Sequence, residues 1–272
     1  MTQQKTIVIT GASAGIGAEL ARRFARDHHT LVLAARRLSA LQTLAAEAES
    51  LGASAALPIV ADVTSREQLA AIANAAIKSF GGFDVWINNA GRGIDKSVLD
   101  LTGEEFDDMM SVNAKSVLFG SQIAAEHFLE RGHGHLINVS SFLGRVPLAL
   151  HRSAYNAAKA AVNSLTANFR VELRKRNPNI HVTLLMPGIV ATEFPMNARN
   201  APADAAIYSG PYVQTTAQVA DIVANVLENP VAEVYTNPAS ADMARAYFED
   251  VGAFEEAGGS PWQTRPPTRG GR

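Results

Sequence analysis

Seven short apolar runs, separated by longer stretches of helical periodicity, leave this chain few folds to choose from. The runs are Thr6–Thr10, Leu31–Ala34, Ala56–Val60, Asp84–Asn88, His135–Ser140, Ile180–Leu185 and Glu233–Thr236. Most are rich in Val, Ile and Leu without alternation, as strands covered on both faces should be. Between them, Ile16–Arg26 repeats Ile16, Leu20 and Phe24 at i, i+4 and i+8, and Leu38–Leu51 sets Leu41, Leu44, Ala48 and Leu51 on one face. Ser65–Phe80 and Thr102–Glu130 open on Ser65-x-x-Gln68 and Thr102-x-x-Glu105, sequence signatures of a helix start. Ser153–Arg176 is long and stops before Pro178, Thr215–Glu228 precedes the last strand, and Ala239–Val251 follows it. Parallel strands joined by helices require right-handed crossovers. The expected fold is therefore α/β, a doubly wound parallel sheet of about seven strands with helices on both faces.

The 272 residues suffice for one large domain, expected over residues 1–257. Residues 258–272, GGSPWQTRPPTRGGR, lose all periodicity and read as a flexible tail; docking on a neighbouring subunit through Trp262 is the sharper alternative. A net charge of -2 gives no global field for nucleic acid or an anionic membrane, so neither partner is expected. The absence of cysteine rules out disulfides, thiolate zinc sites and cysteine nucleophiles. No apolar run reaches about 18 residues, so no membrane span is expected. Met1–Thr6 is short and polar, without the pattern of a secretory leader, and a cytoplasmic protein is the expectation. No His, Asp and Glu share metal-ligand spacing, so no metal is expected.

After the first strand comes Thr10-Gly11-Ala12-Ser13-Ala14-Gly15-Ile16-Gly17 and then a helix. Gly11 permits a tight exit from the strand, Gly15 lets backbone approach a pyrophosphate, and Gly17 lets the helix pack closely. The helix N-terminus offers free N–H groups and partial positive charge to phosphates. A merely tight loop is the plainer alternative, but the strand–turn–helix setting makes this a Rossmann-like dinucleotide turn. An NAD site places an acid at the end of the second strand, on the ribose 2′-OH. Here that position reads Leu33-Ala34-Ala35-Arg36-Arg37, with no acid. Guanidinium suits a 2′-phosphate, so NADP(H) is the expected cofactor, with Arg36 as first contact and Arg37 and Ser13 assisting.

Tyr155 and Lys159 stand at i, i+4, which puts phenol and ammonium on one helix face. A nearby cation lowers a phenol's pKa, and such a pair can move a proton on and off a carbonyl oxygen. With these motifs in order, the chain resembles the short-chain dehydrogenase/reductase family in its compact single-domain branch, over about Lys5 to Tyr235. The matching residues are Thr10 to Gly17, Asp62-Val63, Asn88-Asn89-Ala90-Gly91, Asn113, Ser140-Ser141, Tyr155-x-x-x-Lys159 and Pro187-Gly188-x-x-x-Thr192. The resemblance implies a reductase or dehydrogenase that interconverts a carbonyl compound and its secondary alcohol by hydride transfer. It implies that Tyr155 is the general acid/base, Ser141 holds the substrate oxygen, and Lys159 binds the nicotinamide ribose and lowers the Tyr155 pKa. It further implies that Asn113 holds a water of a proton relay and that Asp62 and Val63 contact adenine. Asn89, Ala90 and Gly91 would line the cofactor; Pro187, Gly188, Ile189 and Thr192 would meet its nicotinamide end. The two long helices usually form subunit contacts in this family, so a homodimer or homotetramer is expected.

Three features depart from the family pattern. Ser141 lies fourteen residues before Tyr155, one more than usual, and the usual spacing would fall on Phe142; Ser141 is kept, with Ser140 as the fallback. Ala14 replaces a basic residue common in NADP-dependent relatives, and a helix rather than a Gly-rich segment follows the last strand. On the substrate side, Gly91–Lys96, Phe142–His151 and Val190–Tyr212 should edge the pocket, with Ile94, Leu143, Leu148, His151 and Phe194 as contacts. Such a lining suits an apolar carbonyl compound. The stretch from Phe194 to Gly210 is expected to be a mobile lid. Two other functions stay open: a noncatalytic NADP(H)-binding sensor, and epimerisation or dehydration on the same scaffold.

Overall fold

A computed structural model describes residues 3–258. Except for Gly258, the expected tail and the docking weighed for Trp262 lie outside the described residues. The strands are β1 (Thr6–Thr10), β2 (Thr30–Ala35), β3 (Ala55–Val60), β4 (Val85–Asn88), β5 (Gly134–Val139), β6 (Ile180–Met186) and β7 (Glu233–Tyr235). They form one sheet in the order β3-β2-β1-β4-β5-β6-β7, every neighbouring pair parallel. The doubly wound sheet is thus as expected. Strand order reverses between β1 and β4, and a crevice opens at the carboxyl ends of such strands.

Alternate side chains of each strand supply two cores. Ile7 and Ile9 of β1 and Leu31 and Leu33 of β2 face α1 (Gly15–Arg26), α2 (Leu38–Ser50) and α7 (Thr216–Glu228), meeting Leu20, Phe24, Leu41, Leu44, Val219 and Val223. Val8, Val32, Trp86 and Leu136 face the other way, onto Leu69 and Ile72 of α3 (Arg66–Phe80) and Ala124 and Phe128 of α5 (Ser116–Arg131). β2 is buried at all six positions, which explains its unbroken apolar sequence.

A buried polar ladder runs through the centre. Trp86 Nε1 donates to Asn88 Oδ1 at 2.8 Å, Asn88 Nδ2 donates to Asn138 Oδ1 at 2.8 Å, and Asn138 Nδ2 donates to Thr166 Oγ1 at 3.0 Å. Each polar atom finds a partner, so burial here fixes geometry rather than destabilising it. The ladder ties β4 and β5 to α6 (Ser153–Arg176), the helix that carries Tyr155 and Lys159.

The stretch expected as one helix over Thr102–Glu130 is broken. α4 (Gly103–Met110), capped by Thr102 and Glu105 as its sequence suggests, gives way to a π-helical turn, Ser111–Lys115, before α5 begins. Beyond β7 come α8 (Pro238–Glu249) and α9 (Val251–Glu256). Among the described residues no helix is long and apolar enough to cross a membrane.

Candidate active site

A cleft of about 1600 Å³ lies over the carboxyl ends of β1, β4, β5 and β6. Its floor is the glycine turn. Thr10 Oγ1 donates to Ile87 O at 3.2 Å and accepts from the Asn89 and Ala90 N–H groups at 3.1 and 3.2 Å. Asn89 Nδ2 returns to Thr10 O and Gly11 O at 3.0 and 3.2 Å, so β1 and β4 are laced together where they end. Gly11 has φ +67°, and a Cβ there would stand 2.7 Å from Ala90 Cα; a Cβ on Gly17 would overlap Gly11 O and the Asn89 amide. Both positions exclude a side chain by close approach.

α1 starts with no side-chain cap, unlike α3, α4 and α7, and with no acid in its first turn, unlike α3 and α4. Its first N–H groups, with Gly11, Ser13, Gly15 and Ile16, open onto the cleft. Such a terminus suits an anionic phosphate, so the turn fits a dinucleotide. At the end of β2, Arg36 and Arg37 line the same cleft. Arg37 Nη2 donates to Ser13 O and Ser13 Oγ, both at 3.2 Å. Asp62 and Val63 face them across the groove. The Thr64 backbone N–H, opposed by burial and helped by the Thr64 hydroxyl and the Arg36 charge, holds the Asp62 carboxyl below its ordinary range. Asn89, Ala90, Gly91, Pro187, Gly188, Ile189 and Thr192 also line the cleft.

Tyr155 and Lys159 emerge from the first turns of α6, both almost fully buried. Burial pushes the Tyr155 phenol up to about 12, against the pull of its hydrogen bond with Ser141 and the charge of Arg152. Burial also brings the Lys159 ammonium down to about 8. Lys159 Nζ donates to Val139 O at 2.8 Å and sits 5.7 Å from the Tyr155 ring centroid. Its ammonium is directed to a backbone carbonyl, while Ser141 and Arg152 act against the effect of burial on the phenol.

The two serines have different partners. Ser140 Oγ is hydrogen-bonded to Lys159 O at 3.1 Å and Asn163 Oδ1 at 2.5 Å, a bracing role between β5 and α6. Ser141 turns to Tyr155 and accepts from the Leu143 N–H at 3.1 Å. Phe142 turns aside to pack with Val146, Met243 and Ala244, at the start of the short 3-10 turn Phe142–Gly144.

Asn113 lies in the π-helical turn, buried behind Gly91. Its Oδ1 accepts from Arg92 N at 3.0 Å, and its Nδ2 donates to Arg92 O at 2.9 Å and Met109 O at 3.1 Å. The carboxamide thus clamps the backbone that follows β4. The substrate-side expectation for Ile94 needs correction. A parallel bridge to Arg199 turns its side chain inward, where it is fully buried with Met109, Ala154 and Tyr155 and does not line the cleft. Leu143, Leu148, His151 and Phe194 do line it, and the Phe194 ring meets Tyr155 edge-on at 5.5 Å.

The expected lid is tied down over its first half. Arg199 exchanges backbone hydrogen bonds of 2.8 Å with Gly93 and Asp95, and its guanidinium reaches Asp108 at 3.0 Å and Glu104 at 2.8 Å. Asn200 Nδ2 donates to Glu105 Oε1 at 2.6 Å. Among the cleft residues not anticipated from the sequence is a buried cation. Arg152, just before α6, is 6% exposed and lines the cleft beside Tyr155. Its i, i+3 spacing to Tyr155 was the available signal.

Residues 5–203 match the family model described as short chain dehydrogenase. The uncharacterized oxidoreductase YxnA of Bacillus subtilis is 33% identical over 234 residues; the match covers 86% of this chain but only 65% of that protein. A short-chain dehydrogenase/reductase from Burkholderia phymatum, solved in complex with NAD, superposes with a TM-score of 0.84 at 26% identity, covering 92% of this chain and 95% of that one. A short-chain dehydrogenase from Sphingobium yanoikuyae, solved in complex with NADPH, gives 0.76 at 27% identity over 96% and 98% of the two chains.

Proposed function

The chain belongs to the short chain dehydrogenase family, and on that premise we propose that it is an NADP(H)-dependent oxidoreductase interconverting a carbonyl compound and its secondary alcohol. The reading rests on one observation: Tyr155, Ser141 and Lys159 share a cleft with an uncapped glycine turn. Gly11, Ser13, Gly15 and Ile16 would hold the pyrophosphate, Asp62 and Val63 the adenine, and Ile189 and Thr192 the nicotinamide end. Arg36, with Arg37 and Ser13, would take the 2′-phosphate. A bound nicotinamide supplies or takes up the hydride.

Tyr155 acts on the proton. A phenol held near 12 stays protonated at neutral pH, so in reduction it is the acid that gives its proton to the carbonyl oxygen. Ser141, whose hydroxyl acts on the phenol from beside it, steadies the same oxygen as negative charge develops. Lys159, at about 8, is still largely cationic at neutral pH and stabilises the phenolate left behind. Oxidation would run the same proton transfer in reverse, with Tyr155 as the base that takes the alcohol proton. Asn113 supports these groups by holding the Gly91–Arg92 backbone in place. Leu143, Leu148 and Phe194 exclude water and favour a substrate with an apolar body.

Tyr155→Phe tests the mechanism. Removing the hydroxyl should lower NADPH-dependent reduction across a carbonyl panel by about 10²–10⁴-fold, the usual worth of a general acid. NADPH titration by fluorescence should remain within a few-fold of the parent. Reduction that survived the change would defeat the assignment of Tyr155.

A further inference from the structure

Building on the carbonyl-reductase reading, we propose that Arg152 is the anion-recognition residue of the substrate pocket, and that the substrate is an oxo acid whose carboxylate this guanidinium grips. Arg152 is 6% exposed, yet its side-chain partners are neutral: Nη1 donates to Ile94 O at 3.0 Å and Nη2 to the Tyr208 hydroxyl at 3.1 Å. No carboxylate among the described residues pairs with it. The acids of nearby α4 are already engaged, Asp108 by Arg92 and Arg199, Glu104 by Arg199, and Glu105 by Thr102, Lys96 and Asn200. A buried charge without a counter-charge is costly, and proteins that keep one pair it or present it to a ligand.

The position of the guanidinium identifies that ligand. A Cβ placed on Gly93 would lie 3.0 Å from Arg152 Nη1 and 2.9 Å from Phe194 Cε1, so the cation and the Phe194 ring form one wall. That ring touches Tyr155, and the Arg152 charge is felt by the Tyr155 phenol itself. The N-terminus of α6 adds to the positive field, since it has neither a side-chain cap nor an acid in its first turn. The groups suited to cofactor phosphates, Ser13, Arg36 and Arg37, are gathered instead at the ends of β1 and β2. The anion facing Arg152 therefore belongs to the substrate. Two of the five guanidinium donors are committed to neutral acceptors, and the planar fork matches a carboxylate. Leu143, Leu148 and Phe194 accept the remaining apolar body.

Phenylpyruvate and benzoylpropionate, each compared with its primary amide, test the assignment. Binding is measured by calorimetry on the full chain, with and without NADPH, and reduction is followed in parallel. At least one acid should bind ten times or more tighter than its amide. Arg152→Met should collapse that acid/amide ratio toward one, and Arg152→Lys should restore part of it. Equal binding of acid and amide by the parent protein overturns the proposal, whether or not the variants fold. Equal losses for acid and amide in a folded Arg152→Met protein also overturn it, and leave the guanidinium as a strut between Ile94 and Tyr208. Selective acid binding without reduction would uphold recognition by Arg152 and refute the reductase reading; reduction without acid selectivity would do the reverse.

Discussion

Replacing Arg36 by Ala should separate the two nicotinamide cofactors. Arg37 is already committed to Ser13 through two 3.2 Å bonds, which exist whichever cofactor binds and so contribute mainly to the shape of the turn. Arg36 projects from the end of β2 as an exposed cation lining the same cleft. A charge-assisted hydrogen bond is worth about 1.5–3 kcal/mol when protected from water, and solvent at this exposed site cuts that to roughly 1–1.5 kcal/mol. Arg36→Ala should therefore raise the Kd for NADPH about tenfold, with NADH shifted by less than about twofold. The double change Arg36→Ala, Arg37→Ala should cost more for NADPH and begin to affect NADH, because Ser13 loses its tether. Fluorescence titrations at two salt concentrations provide the assay. The advantage of NADPH should shrink as salt rises, since the contact is exposed and screened. If NADH and NADPH lose affinity equally in Arg36→Ala, or if the parent protein binds them equally, the 2′-phosphate role of this arginine is wrong.

Three further outcomes follow from the same geometry. Gly17→Ala must displace Gly11 or Asn89, an overpacking of about 2 kcal/mol that should lower the melting temperature by about 5 °C in a thermal scan and weaken binding of either cofactor. His135 is buried beside Thr183, and burial holds its imidazole down at about 3. The unfolded chain then binds the extra proton below pH 6.5, so stability is full above that value and falls as pH drops toward 3, by roughly 2 kcal/mol between pH 7 and pH 5. Urea melts across that range should show the slope, and His135→Gln should reduce it, leaving the part due to His29 and His127, which burial also holds down. Arg199→Ala cuts the ties to Asp108 and Glu104, so proteolysis within residues 201–212 should quicken by about threefold; unchanged cutting would mean the backbone bonds to Gly93 and Asp95 suffice.

Strand positions were legible because burial on both faces leaves an unbroken apolar run, as in β2, and each expected strand agrees with the structure to within a residue at either end. The cleft was legible for a related reason. Gly11 and Gly17 are forced by close approach to Asn89 and Ala90, and although these partners lie far apart in the chain, each side leaves a short local motif, the glycine turn and Asn89-Ala90-Gly91. The π-helical turn was not, since widening a helix by one residue leaves no period to detect. Ile94 looked like a pocket residue from its place in the chain, and only its pairing with Arg199 turns it inward. Arg152 was passed over because a lone arginine at a helix start reads as solvated; its burial depends on Phe194 and Tyr208, far along the chain.

The wide turn at Ser111–Lys115 has an engineering consequence. One additional residue rotates everything upstream by about 100° relative to a regular helix. α5 can thereby sink Ala124 and Phe128 into the core, while Glu104, Glu105 and Asp108 of α4 face Arg199 and Asn200 across the cleft mouth. A designer who deleted one residue to regularise the segment would gain a smoother rod. The same deletion would swing those acids out of phase with their arginine, and the rim of the cleft would lose its clasp.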